Sequence, residues 1–157
     1  MLFSQLQIDN LPLMWAIHRL LGVVCTVNPM SSVSELRFFL KASGCGAIFT
    51  SRSLLATTQK AAKTYGIPDS RIFIIEDRGT VVDGQPPFPD MSNNYSTLDD
   101  LIDLGKKVVP LPTVEWNNRE GETRTAFLSW SSGTSGVPVG FALPFTFPFL
   151  QTNRYGN

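Results

Sequence analysis

Asp9-Asn-Leu-Pro-Leu-Met-Trp-Ala-Ile-His-Arg-Leu-Leu21, then Gly22, then Val23-Val-Cys-Thr-Val27 is the stretch that decides the fold. Leu13, Ile17, Leu20 and Leu21 fall at i, i+4, i+7 and i+8, so a helix would carry them on one face. Asp9 or Asn10 can cap its start, and Pro12 suits its first turn. Gly22 is expected to end it. The apolar run 23–27 has no alternation, which suits a short strand buried on both faces in a parallel sheet.

The same unit recurs downstream. Asn28-Pro29 breaks the strand. Ser32-Val-Ser-Glu35 is a capping box that opens a second helix, and Gly44 closes it. Residues 45–50 read as a strand, 53–65 as a third helix closed by Gly66 and Pro68, and 71–77 as another strand. The rhythm α-β-α-β-α-β with short connections predicts an α/β fold, an open and mostly parallel sheet with flanking helices. Residues 78–95, with Gly79, Gly84, Pro86, Pro87 and Pro89, read as a surface loop. Ser96-Thr-Leu-Asp99 caps a helix running to about Lys107, and residues 109–122 are polar and turn-rich. Arg124 to Trp130 reads as a strand that stops at a Gly/Ser loop.

That loop is Ser131-Ser-Gly-Thr-Ser-Gly-Val-Pro-Val-Gly140. Gly133 and Gly136 would let backbone N–H groups approach an anion, and the hydroxyls of Ser131, Ser132, Thr134 and Ser135 add donors. Composition alone fits an ordinary turn as well. The spacing is not that of the P-loop NTPases, and no Lys follows the second glycine.

The loop resembles the phosphate loop of AMP-forming synthetases, Ser/Thr-Ser/Thr-Gly-Ser/Thr-Ser/Thr-Gly-x-Pro-Lys-Gly. It matches at Ser131, Ser132, Gly133, Thr134, Ser135, Gly136, Pro138 and Gly140. Upstream, Leu13 to Pro29 is similar to the helix–strand–Asn-Pro stretch of 4-coumarate–CoA-ligase-like enzymes. Residues 42–50 and 95–102 fit the same family in order and spacing. The resemblance implies an incomplete part of the large N-terminal domain of an adenylate-forming enzyme, an acid–CoA ligase. It also implies that the eight matched residues bind the phosphates of ATP, with Mg2+ and CoA as the family's other requirements. A small-molecule carboxylic acid would be the substrate.

Two departures stand out. The family's loop Lys falls at Val139. After Gly140 a Pro/Phe-rich segment, 141–157, replaces the family's strand and helix-rich continuation. This leads us to expect a partial AMP-binding domain over 1–140 and a divergent tail over 141–157, as a frameshift, a retained intron or a broken gene would leave. The chain also begins after the family's first strands. The adenine-binding segment, the hinge and the catalytic Lys have no counterpart here, so no catalytic residue is assigned and the chain alone is expected to be inactive. The alternative is a small, non-catalytic binding or interaction protein derived from a ligase gene.

Composition narrows the rest. The 157 residues carry 13 basic and 13 acidic side chains. That balance leaves no basic field for nucleic acid and little charge repulsion against non-specific self-association. No apolar run reaches the roughly 18 residues of a membrane span. The start lacks a basic secretory region. The expectation is an intracellular protein, cytoplasmic or peroxisomal. Cys25 and Cys45 lie in apolar runs without metal or disulfide spacing and read as inert thiols. His18 reads as a solvated helix histidine. Asp99, Asp100 and Asp103 form an acidic helix face explained by capping. Trp15 and Trp130 read as packing residues, and Trp116 as exposed. Prolines 144 and 148 exclude a helix or a central strand over 141–150, which leaves four phenylalanines without visible cover. The strand 124–130 is then expected to have an open edge, and removing 141–157 to improve solubility.

Overall fold

A computed structural model describes residues 1–76, 95–117, 119–131 and 138–146. In chain order the elements are β1 (Leu2–Phe3), α1 (Asn10–Arg19), β2 (Val24–Cys25), α2 (Val33–Ser43), β3 (Ile48–Ser51), α3 (Leu55–Tyr65), β4 (Ile72–Ile75), α4 (Leu98–Gly105), α5 (Glu120–Thr123), β5 (Thr125–Trp130) and β6 (Gly140–Pro144). Capping boxes open helices α2 and α4, whereas Asp9 stands at the N-cap of α1 with no side-chain cap hydrogen bond, contrary to expectation. Helix α2 has the reciprocal box the sequence predicts: Glu35 N–H donates to Ser32 Oγ, and the Glu35 carboxylate accepts from Ser32 N–H at 2.7 Å. It ends on Gly44 at φ 62°, where a side chain would be strained. Helix α4 carries the same box between Thr97 and Asp100. Asp103 pairs with Lys106 at 2.7 Å on the same helix.

The strands form two three-stranded sheets, β1-β3-β4 and β2-β5-β6. β1, β3 and β4 are parallel, and β2 is parallel to β5. An isolated parallel bridge, Leu2 to Thr26, joins the two sheets. Alternation along the strands divides the core between their faces. Phe3, Ile48, Ile72 and Ile74 pack in one cluster with Leu36 and Leu40 of α2 and Leu55, Ala61 and Ala62 of α3. Leu2 and Ile75 pack in the other with Leu13, Met14 and Ile17 of α1. The expected open, mostly parallel α/β arrangement with flanking helices is present. Thr50 and Thr58, both buried, share a hydroxyl hydrogen bond of 2.9 Å, so no polar cost arises there.

Several expectations are corrected. Helix α1 stops at Arg19, because Gly22 N–H closes onto Ile17 O at 2.9 Å and Leu21 takes φ 58°. Leu20 therefore leaves the inner stripe and is 66% exposed. Trp15 is 63% exposed and does not pack in the core. The third helix begins at Leu55 after one 3-10 turn, and a short helix, α5, interrupts the turn-rich region before β5. β1 lies in residues for which the sequence gives no periodic signal. Strand β5 has no open edge: β2 lies on one side and β6 on the other. β6 pairs antiparallel with β5 and crosses the expected division at residue 140. Pro144 is tolerated because it is the last residue of an outer strand. The predicted loop at 78–95, except Tyr95, and the tail from 147 onward lie outside the described residues.

Candidate functional site

Strands β2 and β5 are parallel neighbours, so their carboxyl ends open on the same side. In open α/β sheets that is where ligands bind. After β2 the chain turns at Asn28, whose side-chain carbonyl accepts from Met30 N–H at 2.9 Å, and enters α2. After β5 it reaches Ser131. Between them lies a cleft of about 560 Å³, lined by Thr26, Val27, Asn28, Ser31, Glu35, Phe39, Ser129, Trp130, Ser131 and Pro138. Hydroxyls dominate its polar lining, and none of these residues is Lys or Arg.

The base of the Gly/Ser loop is closed by two hydrogen bonds. Ser131 N–H donates to Val139 O at 2.9 Å. Val139 N–H donates to Ser131 Oγ at 3.2 Å. The Ser131 hydroxyl keeps its own proton to donate elsewhere. Of the predicted phosphate-binding residues, Ser131 and Pro138 line the cleft, and Gly140 opens β6 beside it. Ser132, Gly133, Thr134, Ser135 and Gly136 lie outside the described residues. Val139 is 53% exposed.

Trp130 forms one wall. Its indole lies 4.9 Å from the Phe39 ring, and its N–H donates to Cys25 Sγ at 3.3 Å. Burial pushes the Cys25 thiol up from its ordinary value of 9.0, against a smaller opposing effect of the indole N–H. Cys25 is buried, as expected, while Cys45 is only half-buried. Glu35 is committed to the cap of α2: the Ser32 backbone N–H, then the Ser32 hydroxyl, hold its carboxyl below its ordinary 4.5. Among the described residues no group of three or more His, Cys, Asp and Glu is placed to hold a metal ion. Hydroxyl and amide donors suit phosphate oxygens. They form no carboxylate pair of the kind that holds Mg2+ directly.

His18 is a correction. It lies toward the start of β5, half-buried, with Nε2 3.1 Å from Ala126 O. Because a carbonyl only accepts, Nε2 carries the proton. Phe127 and Phe145 meet the ring edge-on at 4.6 and 5.0 Å. Its partners are more than a hundred residues away in sequence, so helix periodicity could not reveal them. Phe145 also meets Trp116 at 5.0 Å, so part of the aromatic tail has cover; Phe141 stays 52% exposed.

No family model matches the chain. Among curated proteins, acyl-CoA ligase easD of Emericella nidulans is 31% identical over 135 residues, covering 86% of this chain and 23% of the relative. Acyl-CoA ligase frbB of a Dothideomycetidae species is 33% identical over 136 residues, covering 87% and 24%. The chain spans about a quarter of the length of these relatives. Among solved structures, the anthranilate CoA ligase AuaEII in complex with anthranoyl-AMP has the same fold over 92% of this chain and 24% of its own, at TM-score 0.68 and 17% identity. A long-chain-fatty-acid-CoA ligase from Archaeoglobus fulgidus gives TM-score 0.65 over 92% and 24%, at 19% identity. The chain belongs to the acyl-CoA ligases, a family of adenylate-forming enzymes, and corresponds to about a quarter of their length.

Proposed function

We propose that this chain supplies the ATP phosphate loop of an acyl-CoA ligase, and that alone it neither adenylates an acid nor forms a thioester. The observation that carries the reading is the closed loop base, Ser131 against Val139, at the carboxyl ends of β5 and β2 beside a hydroxyl-lined cleft. In a complete ligase, a small carboxylic acid attacks the α-phosphorus of Mg2+-bound ATP and pyrophosphate leaves. The CoA thiol then attacks the acyl carbon and AMP leaves. Ser131, Ser132, Gly133, Thr134, Ser135, Gly136, Pro138 and Gly140 would hold the phosphates.

One need of that chemistry is unmet by the residues lining this cleft: developing phosphate charge requires cations. The cleft offers hydroxyls, the Asn28 side-chain amide and a capped carboxylate, and Val139, next to the lining residue Pro138, stands at the family's Lys position. Residues 1–140 are the partial AMP-binding domain in this reading, with 141–144 joined to it through β6 and the remainder a divergent tail. The free thiols Cys25 and Cys45 favour a reducing intracellular compartment, cytoplasm or peroxisome.

Calorimetry with ATP tests the reading. The chain should bind with a Kd weaker than about 1 mM. Val139→Lys should tighten it by about tenfold at most, since one half-exposed cation contributes little in water. A micromolar Kd for the unmodified chain would mean a complete nucleotide site, and the proposal would fail.

A further inference from the structure

A second pocket lies at the other end of β5 from the Gly/Ser loop. His18 Nε2 is bonded to the carbonyl of Ala126, the second residue of that strand, whereas Ser131 follows its last residue. The pocket holds about 340 Å³, and its lining includes His18, Arg19, Leu21, Thr113, Trp116 and Phe145. Small-molecule sites have this build, mostly apolar and aromatic walls with a few placed polar groups.

Aromatic rings supply the walls. Phe145 meets the His18 ring edge-on with centroids 5.0 Å apart, and the Trp116 ring, tilted, also at 5.0 Å. Such rings offer large apolar area and accept a further ring edge-on or offset-stacked. Leu21, on the same pocket, is held in the left-handed region at φ 58°. A side chain there carries a conformational cost, and residues held in this way cluster at ligand sites.

Arg19 supplies the charge. Its Nη2 donates to Leu111 O and Pro112 O, both at 2.7 Å, which tethers the segment leading to Thr113. Among the described residues, the N–H groups on Nε and Nη1 have no partner and no carboxylate pairs with Arg19. A second guanidinium, that of Arg124, lies 5.6 Å from the centre of the Trp116 ring, but Glu120 meets its charge at 2.7 Å. The uncompensated charge at the pocket is Arg19's. A guanidinium with donors on two neighbouring nitrogens matches the two oxygens of a carboxylate.

We propose that this pocket binds a small aromatic carboxylate, its ring against Trp116 and Phe145 and its carboxylate on Arg19. None of the residues lining it lines the phosphate-loop cleft, so the site stands whatever ATP does there.

The experiment titrates the full chain, isotope-labelled for NMR, with three probes: 1-naphthoate as ring plus carboxylate, 1-naphthamide as ring alone and acetate as carboxylate alone. The three tryptophans give separate indole N–H signals, and Trp116→Phe identifies the one that matters. Naphthoate should move the Trp116 signal with a Kd below about 1 mM and leave that of Trp130 in place. Naphthamide should bind about threefold or more weakly, and acetate should move nothing. Arg19→Gln should weaken naphthoate by about threefold or more and leave naphthamide unchanged. The preference of the unmodified chain for the acid over the amide tests the charge even if that variant loses its fold. Three results would overturn the proposal: a Trp116 signal that naphthoate does not move or moves only together with those of Trp15 and Trp130, naphthamide binding as tightly as naphthoate, or an equal loss of both ligands in Arg19→Gln, which would make Arg19 a tether alone.

Discussion

Gly140 sits opposite Trp130 in the antiparallel ladder of β5 and β6, and the indole fills the space a side chain at 140 would need. A Cβ there would lie 2.8 Å from Trp130 Cζ3 and 3.2 Å from Cε3. The ring cannot easily move away, because its N–H is bonded to Cys25 and its face packs on Phe39. The final glycine of the loop is thus needed for strand packing, independently of any phosphate.

Gly140→Ala should therefore cost about 1–3 kcal/mol of stability, the usual range for overpacking. Val139→Ala beside it should be near neutral, since Val139 is half-exposed. Urea denaturation followed by tryptophan fluorescence separates the two. An unchanged midpoint for Gly140→Ala would show that the ladder gives way around residue 140.

Two capping carboxylates make stability depend on acid. Hydrogen bonds from the Ser32 backbone and hydroxyl lower Glu35 from its ordinary 4.5, and those from Thr97 lower Asp100 from 3.8. A group whose folded value is depressed stabilises above its unfolded value and loses that contribution as pH falls through the folded one. The fold should weaken as pH falls below the ordinary values of 4.5 and 3.8, and the Glu35→Gln, Asp100→Asn double variant should show a shallower decline there. Thermal melts across the range are the check. Parallel declines in the two proteins would remove the caps as the cause.

The tail bears on solubility in the opposite sense to what its prolines suggest. Removing 141–157 takes away most of β6 and uncovers one edge of β5, a row of unpaired backbone groups. It also strips Phe145 from His18 and Trp116. The shortened chain should sediment as larger species than the full chain at equal concentration. A shortened chain that is the more monomeric of the two would show that β6 contributes nothing to this fold.

Local chemistry was the legible part of the sequence. Ser32 with Glu35, Gly44 and Gly66 act within a few residues of themselves, so their roles could be read before any tertiary contact was known. The parallel strands were legible as apolar runs between such caps. What escaped depends on register between distant segments. Val24 lies opposite Phe127 and Leu2 is bridged to Thr26. Neither pairing has a local signature, so β1, the covered edge of β5 and the setting of His18 could not be read. The outer face of α1 misled for a different reason: Trp15 and Leu20 are apolar like core residues, yet the elements described here do not cover them. Of the candidate site, the motif was legible but the Gly140–Trp130 and Trp130–Cys25 contacts were not.

The measurement that bears most directly on the account is pyrophosphate release by the purified chain, with ATP, Mg2+, CoA and a panel of carboxylic acids. The cleft that Ser131 and Pro138 line lacks a cation, and the chain spans about a quarter of its relatives' length. Acid-dependent release should equal that of a control without protein, and should remain so for Val139→Lys. Release that requires the acid, scales with the chain and falls with Ser131→Ala would contradict the account, because it would place a working adenylation site within these 157 residues.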